Sequence, residues 1–234
     1  MSVVIMLFAG FAAFAGWWLA QQRLTSKPWL EQGVIEGVPD FEASHDPAKR
    51  AGLGFFLAIV GSMFTLLAGA YFMRRDLGDW QALPVPPILW INTGALVLSS
   101  LALEYTQRSV RRGDIVRLRV GLAVAALFAL AFLGGQLIAW QQLSAEGYYV
   151  ATNPANSFFY LVTGLHGLHI LGGLVALGWA TAKAWGSEKV EGVRLNVELC
   201  ATYWLFMLFV WVVLFSLIAG WASAFIELCG QLLS

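Results

Sequence analysis

The chain has 234 residues, 59% of them hydrophobic and 12% charged, with a net charge of zero and a mean hydropathy of +0.71. That much apolar surface exceeds what a water-soluble globule of this length can bury, so most of the chain belongs in lipid as an all-α membrane protein. No concentrated basic field exists to recognise nucleic acid, which is excluded as a partner.

In chain order, apolar runs fall at about 2–20, 52–73, 86–104, 119–143, 156–182 and 196–226. Each approaches or exceeds the roughly 18 residues a membrane helix needs, which predicts six transmembrane helices. The first run lacks a basic n-region and reads as a retained anchor, giving an N-terminal transmembrane segment over residues 1–22. Residues 23–50 are polar, carry Pro28, Pro39 and Pro47, and are expected to form a cytoplasmic linker. Residues 51–234 would then form a five-helix core. Arg and Lys set the orientation, with four in the linker, five over residues 108–119, three over residues 183–194, and only Arg74 and Arg75 on the other side. The positive-inside rule places those three loops in the cytoplasm and both termini outside.

No Lys, Arg, Asp or Glu falls near the middle of a span, whereas ion-coupled transporters place relays there; this disfavours a stand-alone transporter. Gly172, Ala176, Ala180 and Ala184 recur at every fourth position, a stripe expected to admit a neighbouring helix closely. Cys200 and Cys229 are expected on one helix, about 43 Å apart at 1.5 Å per residue, and therefore as free thiols.

The sharpest local signal is Thr163-Gly164-Leu165-His166-Gly167-Leu168-His169, whose two histidines share one helix face. Haem or copper would need further ligands, and no cysteine or carboxylate lies on that span to complete a site. Buried neutral imidazoles bonded across helices are the simpler expectation, with Ser62 and Thr65 of the second span as partners. Glu198, at the start of the last span, suits a helix N-terminus and can pair with Arg194, while Tyr203 and Trp204 begin an aromatic interfacial cluster.

Taken in order, the landmarks are Pro86-Pro87, Leu89-Trp90-Ile91-Asn92-Thr93, Ser99-Ser100, Gln136 and Trp140. Asn156-Ser157-Phe158-Phe159, the histidine motif, and Glu198 five residues before Tyr203-Trp204 complete the set. On these the chain, over about residues 50–225, resembles the haem-copper oxidase subunit III family of cytochrome c and quinol oxidases. The resemblance implies a non-catalytic subunit of a proton-pumping terminal oxidase in a bacterial inner membrane, with no catalytic, cofactor or metal residue of its own. Haem and copper would lie in partner subunits I and II. This chain would pack against the catalytic subunit, bind phospholipid and sustain proton uptake and stability, with His166, His169, Ser62, Gln136, Trp140, Glu198, Tyr203 and Trp204 in structural, lipid or partner contacts. Departures mark a divergent branch: Ser62 stands where the family often has a glutamate, Ala139 replaces a carboxylate, and Leu205 and Leu208 replace His and Asp. One helix precedes the core in place of two, which implies a narrower lipid cleft or one completed by another subunit.

Three other readings stay open at this point. One is an accessory subunit of a quinol oxidase or nitric-oxide reductase, another a membrane assembly factor, and the third a small-molecule channel.

Overall fold

The computed structural model describes residues 47–75, 77–186 and 190–221. Five helices carry these residues: α1 Pro47–Arg75, α2 Ile88–Arg111, α3 Ile115–Ala145, α4 Pro154–Gly186 and α5 Glu191–Ile218. All five are long and apolar enough to cross a membrane; α2, the shortest at 24 residues, spans about 36 Å. The sequence-predicted first span at 2–20 lies outside the described residues.

Helix ends follow local chemistry. α1 begins at Pro47, five residues before its apolar run. α2 closes with Gly113 at φ 72°, where Gly113 N donates to Val110 O and Asp114 N to Ser109 O; the left-handed residue lets the chain bend back and use the last carbonyls. Asp114 then caps α3, accepting from Arg117 N at 3.0 Å. Pro154 opens α4, and the Asn153 side chain accepts from Ala155 N at 3.1 Å. The Asn153 amide also donates to Gln81 O at 2.7 Å, which ties the loop after α1 to the start of α4.

The last apolar run breaks earlier than its composition predicts. Instead of continuing to 226, α5 ends at Ile218, with Ala219 as its cap and Gly220 at φ 74°. Cys200 is buried and free, and the expectation for Cys229 falls outside the described residues.

Two compact units divide the chain, residues 1–65 and 66–234, with the boundary inside α1. Among the described residues the first unit holds the N-terminal part of α1. In the second, α2 packs on α3, α3 on α4, α4 on α5, and α5 back on α2, so these four helices close a ring.

What buries each helix of that ring is a repeat of seven. In α2, Leu89, Leu96, Leu103 and Val110 recur at sevens beside Asn92, Ser99 and Thr106; in α3, Leu118, Ala125, Phe132 and Ala139 do so beside Leu122, Ala129, Gln136 and Leu143. α4 repeats Asn156, Thr163, Ile170, Leu177 and Ala184 beside Phe159, His166, Gly173 and Ala180. Buried α5 residues follow the same spacing, with Val193, Cys200, Met207 and Leu214 beside Val197, Trp204 and Trp211. A 3.5-residue period keeps one seam facing its neighbours over the whole span, as in antiparallel bundles with left-handed crossing. Outward faces carry Ile91, Leu101, Val120, Leu127 and Val175, all exposed and apolar, which is what a lipid-facing surface needs.

Small residues set the closest approaches. A Cβ on Gly135 would lie 2.8 Å from Asn92 Cγ, and one on Gly121 would lie 3.2 Å from Thr106 Cβ, so α2 and α3 meet through glycine at both positions. On α4 the close approach is Gly173, where a Cβ would lie 2.5 Å from Tyr203 Cε1 and 2.8 Å from Trp204 Cζ3. This corrects the expected stripe: Ala180 and Ala184 are buried, but Gly172 and Ala176 are exposed. Steps of four residues turn about 400°, so such a stripe drifts by about 40° per step and leaves the contact seam.

Candidate functional site

Indole-to-hydroxyl bonds join the ring of four helices. Trp204 Nε1 donates to Ser99 Oγ at 2.9 Å, and Ser99 Oγ donates onward to Ala125 O at 2.8 Å, linking α5, α2 and α3 in one relay. Trp211 Nε1 donates to Thr93 Oγ1 at 2.9 Å, and Thr93 Oγ1 donates to Leu89 O at 2.8 Å. Trp140 Nε1 donates to Thr163 Oγ1 at 3.1 Å, joining α3 to α4. Each indole N–H is thereby satisfied by another helix, and each hydroxyl both accepts from the indole and donates to a carbonyl.

Three of the residues expected to make contacts, Trp140, Tyr203 and Trp204, are thus interhelical fasteners. Tyr203 OH donates to the backbone carbonyl of His169 at 2.7 Å, between α5 and α4. Ser99 and Thr93 were visible in the sequence only as members of a motif; what reveals their role is that they stand opposite indoles contributed by α5.

The two histidines separate in environment. His166 is fully buried, with its ring centroid 5.0 Å from that of Trp211 and 5.6 Å from that of Phe132. It faces protein, as expected. His169 is half-buried, and its Nδ1 lies 2.7 Å from Leu165 O on its own helix. The expected hydroxyl partners also bond locally: Ser62 Oγ donates to Ala58 O and Thr65 Oγ1 to Gly61 O, both at 2.8 Å. Ser62 is exposed. A hydroxyl on a helix reaches the carbonyl one turn back without any partner helix, which is why those donors are spent on α1 itself.

Glu198 is buried, and Arg194 Nε donates to its Oε1 at 3.1 Å, the pairing its spacing predicts. Gln136 is buried on the core seam of α3, one residue from the glycine that receives Asn92. At the same end of the bundle as Arg194 and Glu198, Arg119 Nε donates to Ala184 O at 3.1 Å with its guanidinium 6.0 Å from the Trp185 ring centroid, so a cation closes the C-terminus of α4. Among the described residues, no three His, Cys, Asp or Glu side chains stand together as a metal site would require.

A cytochrome c oxidase subunit III family model matches residues 39–223, a stretch that takes in all five helices. This chain belongs to the cytochrome c oxidase subunit III family. Membership agrees with the resemblance carried by the motifs. A cytochrome c oxidase subunit 3 from Thermostichus vulcanus is 30% identical over 204 residues, covering 80% of this chain and 96% of its own length. A probable cytochrome c oxidase subunit 3 from Mycobacterium leprae is 31% identical over 169 residues, with 71% and 80% covered. The cytochrome c oxidase subunit 3 of Oryctolagus cuniculus is 25% identical over 221 residues, with 88% and 82% covered. A member of the subunit III family is a component of a larger terminal-oxidase complex, and the fasteners above hold such a subunit's own helices together.

Proposed function

We propose that this chain is the non-catalytic subunit III of a proton-pumping haem-copper terminal oxidase in a bacterial inner membrane. It packs against subunit I, with subunit II in the same complex, binds phospholipid, and sustains proton uptake and the working lifetime of the enzyme. The family match across all five helices is the observation that carries this reading. Support comes also from the indole–hydroxyl pairs, which tie the helices of this chain together. Haem and copper reside in the partner subunits, whose six histidine ligands and paired cysteines this chain does not possess. The basic α2–α3 and α4–α5 turns face the cytoplasm, and the α3–α4 turn faces the periplasm.

Extraction in mild detergent tests the proposal. The chain should co-purify stoichiometrically with a histidine-rich twelve-helix subunit, and the assembly should give a haem reduced-minus-oxidised spectrum and oxidise a respiratory electron donor. Purification of the intact chain without such a subunit would overturn it.

A further inference from the structure

Side-chain contacts fix the register of the four-helix ring layer by layer. Asn92 on α2 sits against Gly135, the residue before Gln136 on α3. Phe132, one turn from Gln136 on the same seam, meets the ring of His166 on α4, and His166 meets Trp211 on α5. Trp211 closes the circle by donating to Thr93, the neighbour of Asn92. Asn92, Gln136 and His166 therefore occupy one layer of the bundle, 2%, 3% and 0% exposed respectively.

That layer contains polar capacity which the surrounding protein does not use. Neither Gln136 Oε1 nor Gln136 Nε2 has a hydrogen-bond partner among the described residues, and Asn92 Nδ2 has none either. The two amide nitrogens offer four N–H donors and the glutamine oxygen an acceptor. Leaving these bare inside lipid is strongly unfavourable, and the seam positions they occupy could have been aliphatic, as the neighbouring seam residues Leu89, Leu96 and Leu143 are. Adjacent layers contrast with this one. Toward one end the Trp204 indole is saturated by Ser99, and toward the other the Trp140 indole is saturated by Thr163.

We infer that the Asn92–Gln136–His166 layer is an internal hydration site, holding ordered water inside the membrane-embedded bundle, in the half that contains the start of α2. Water is the ligand whose chemistry fits: it accepts from both amide nitrogens and donates to Gln136 Oε1, and buried waters characteristically make about three such bonds. The aromatic rings of Phe132 and Trp211 wall the layer, and the saturated fasteners on either side confine the water to it. Water held there stiffens the bundle, and the hydroxyls of the adjacent layers are already spent on indoles and carbonyls.

X-ray radiolysis of the full chain, purified in mild detergent with whatever accompanies it, tests this directly. Bound water generates hydroxyl radical in place and oxidises the side chains beside it. Trp211 and Trp204 are equally buried and chemically identical, so mass spectrometry of the two gives an internal comparison. The expected result is roughly threefold or faster oxidation of Trp211 relative to Trp204, with Phe132 also modified, falling to the Trp204 rate in Gln136→Met. Equal rates at the two tryptophans in the unsubstituted chain would overturn the proposal, since they would mean that the two amides pair directly. An unchanged Trp211 rate in Gln136→Met would overturn it as well. Should Gln136→Met not assemble, Asn92→Leu serves the same comparison, and the unsubstituted ratio decides by itself.

Discussion

Gly173 and Gly172 are neighbours with opposite surroundings. A Cβ on Gly173 would press on the rings of Tyr203 and Trp204, while one on Gly172 would meet nothing within 4 Å. Aromatic rings fixed by hydrogen bonds cannot retreat, so Gly173→Ala should destabilise the assembled protein by about 1–3 kcal/mol. Gly172→Ala should be neutral or slightly stabilising through helix propensity. Thermal melting of the detergent-purified assembly separates the two, and equal melting temperatures would refute the packing argument. Ser99 gives a second test at this scale. Ser99→Ala leaves the buried Trp204 indole N–H without an acceptor and should cost about 1–3 kcal/mol in the same melt, more than Ser100→Ala, whose hydroxyl serves only Leu96 O on its own helix. The tryptophan and the serine were both legible as motif members, but nothing in one sequence pairs residues 105 positions apart.

Elements were legible where periodicity is strong and less so at their ends. Five apolar runs became five helices, but α5 stopped short of its run because Gly220 takes a left-handed φ that hydropathy does not register. The loop after α1 shows the reverse, a local tie made by charge. Arg74 donates to Asp79 Oδ1 at 2.6 Å, and that hydrogen bond, with the guanidinium charge, holds the Asp79 carboxyl below the usual carboxylate range. A depressed carboxyl stabilises above its unfolded value and loses that contribution as pH falls through the folded one. Hydrogen exchange of residues 77–81, corrected for intrinsic rate, should therefore stay constant down through the ordinary carboxylate range and rise only below it. In Asp79→Asn the profile should be flat and the protection lower throughout; a step in that variant would assign the titration elsewhere. The pair is solvent-exposed, so global stability should barely respond.

Whole-molecule behaviour depends on orientation and assembly. The basic residues of the α2–α3 turn predict a cytoplasmic location for it, and Glu146 a periplasmic one. A cysteine at Arg112 is the suitable probe, since Gly113 beside it has φ 72° and tolerates only glycine well. An impermeant thiol reagent applied from the periplasm should label Glu146→Cys and spare Arg112→Cys; the opposite pattern would invert the topology. At the same scale, His166→Ala removes a ring packed against Phe132 and Trp211. The expected outcome is looser assembly or a shorter working lifetime, with the initial turnover per intact complex nearly unchanged. His169→Ala should be milder, because Tyr203 bonds to the backbone carbonyl of residue 169, which any side chain leaves in place. A large immediate loss of turnover in a fully assembled His166→Ala complex would assign this residue a part in the chemistry.

The sequence by itself determined the solvent, the helical class, the existence of the five described spans though not their ends, the Arg194–Glu198 pair and the family. Each of these follows from composition, from spacing along one helix, or from an ordered set of short motifs, all of which are local in the chain. Only the tertiary structure decided which small residues are contacts, which hydroxyls receive the indoles, and that Asn92, Gln136 and His166 share a layer. Those facts depend on how antiparallel helices register against one another, and register is set by the sum of many side-chain contacts across the ring rather than by any segment alone.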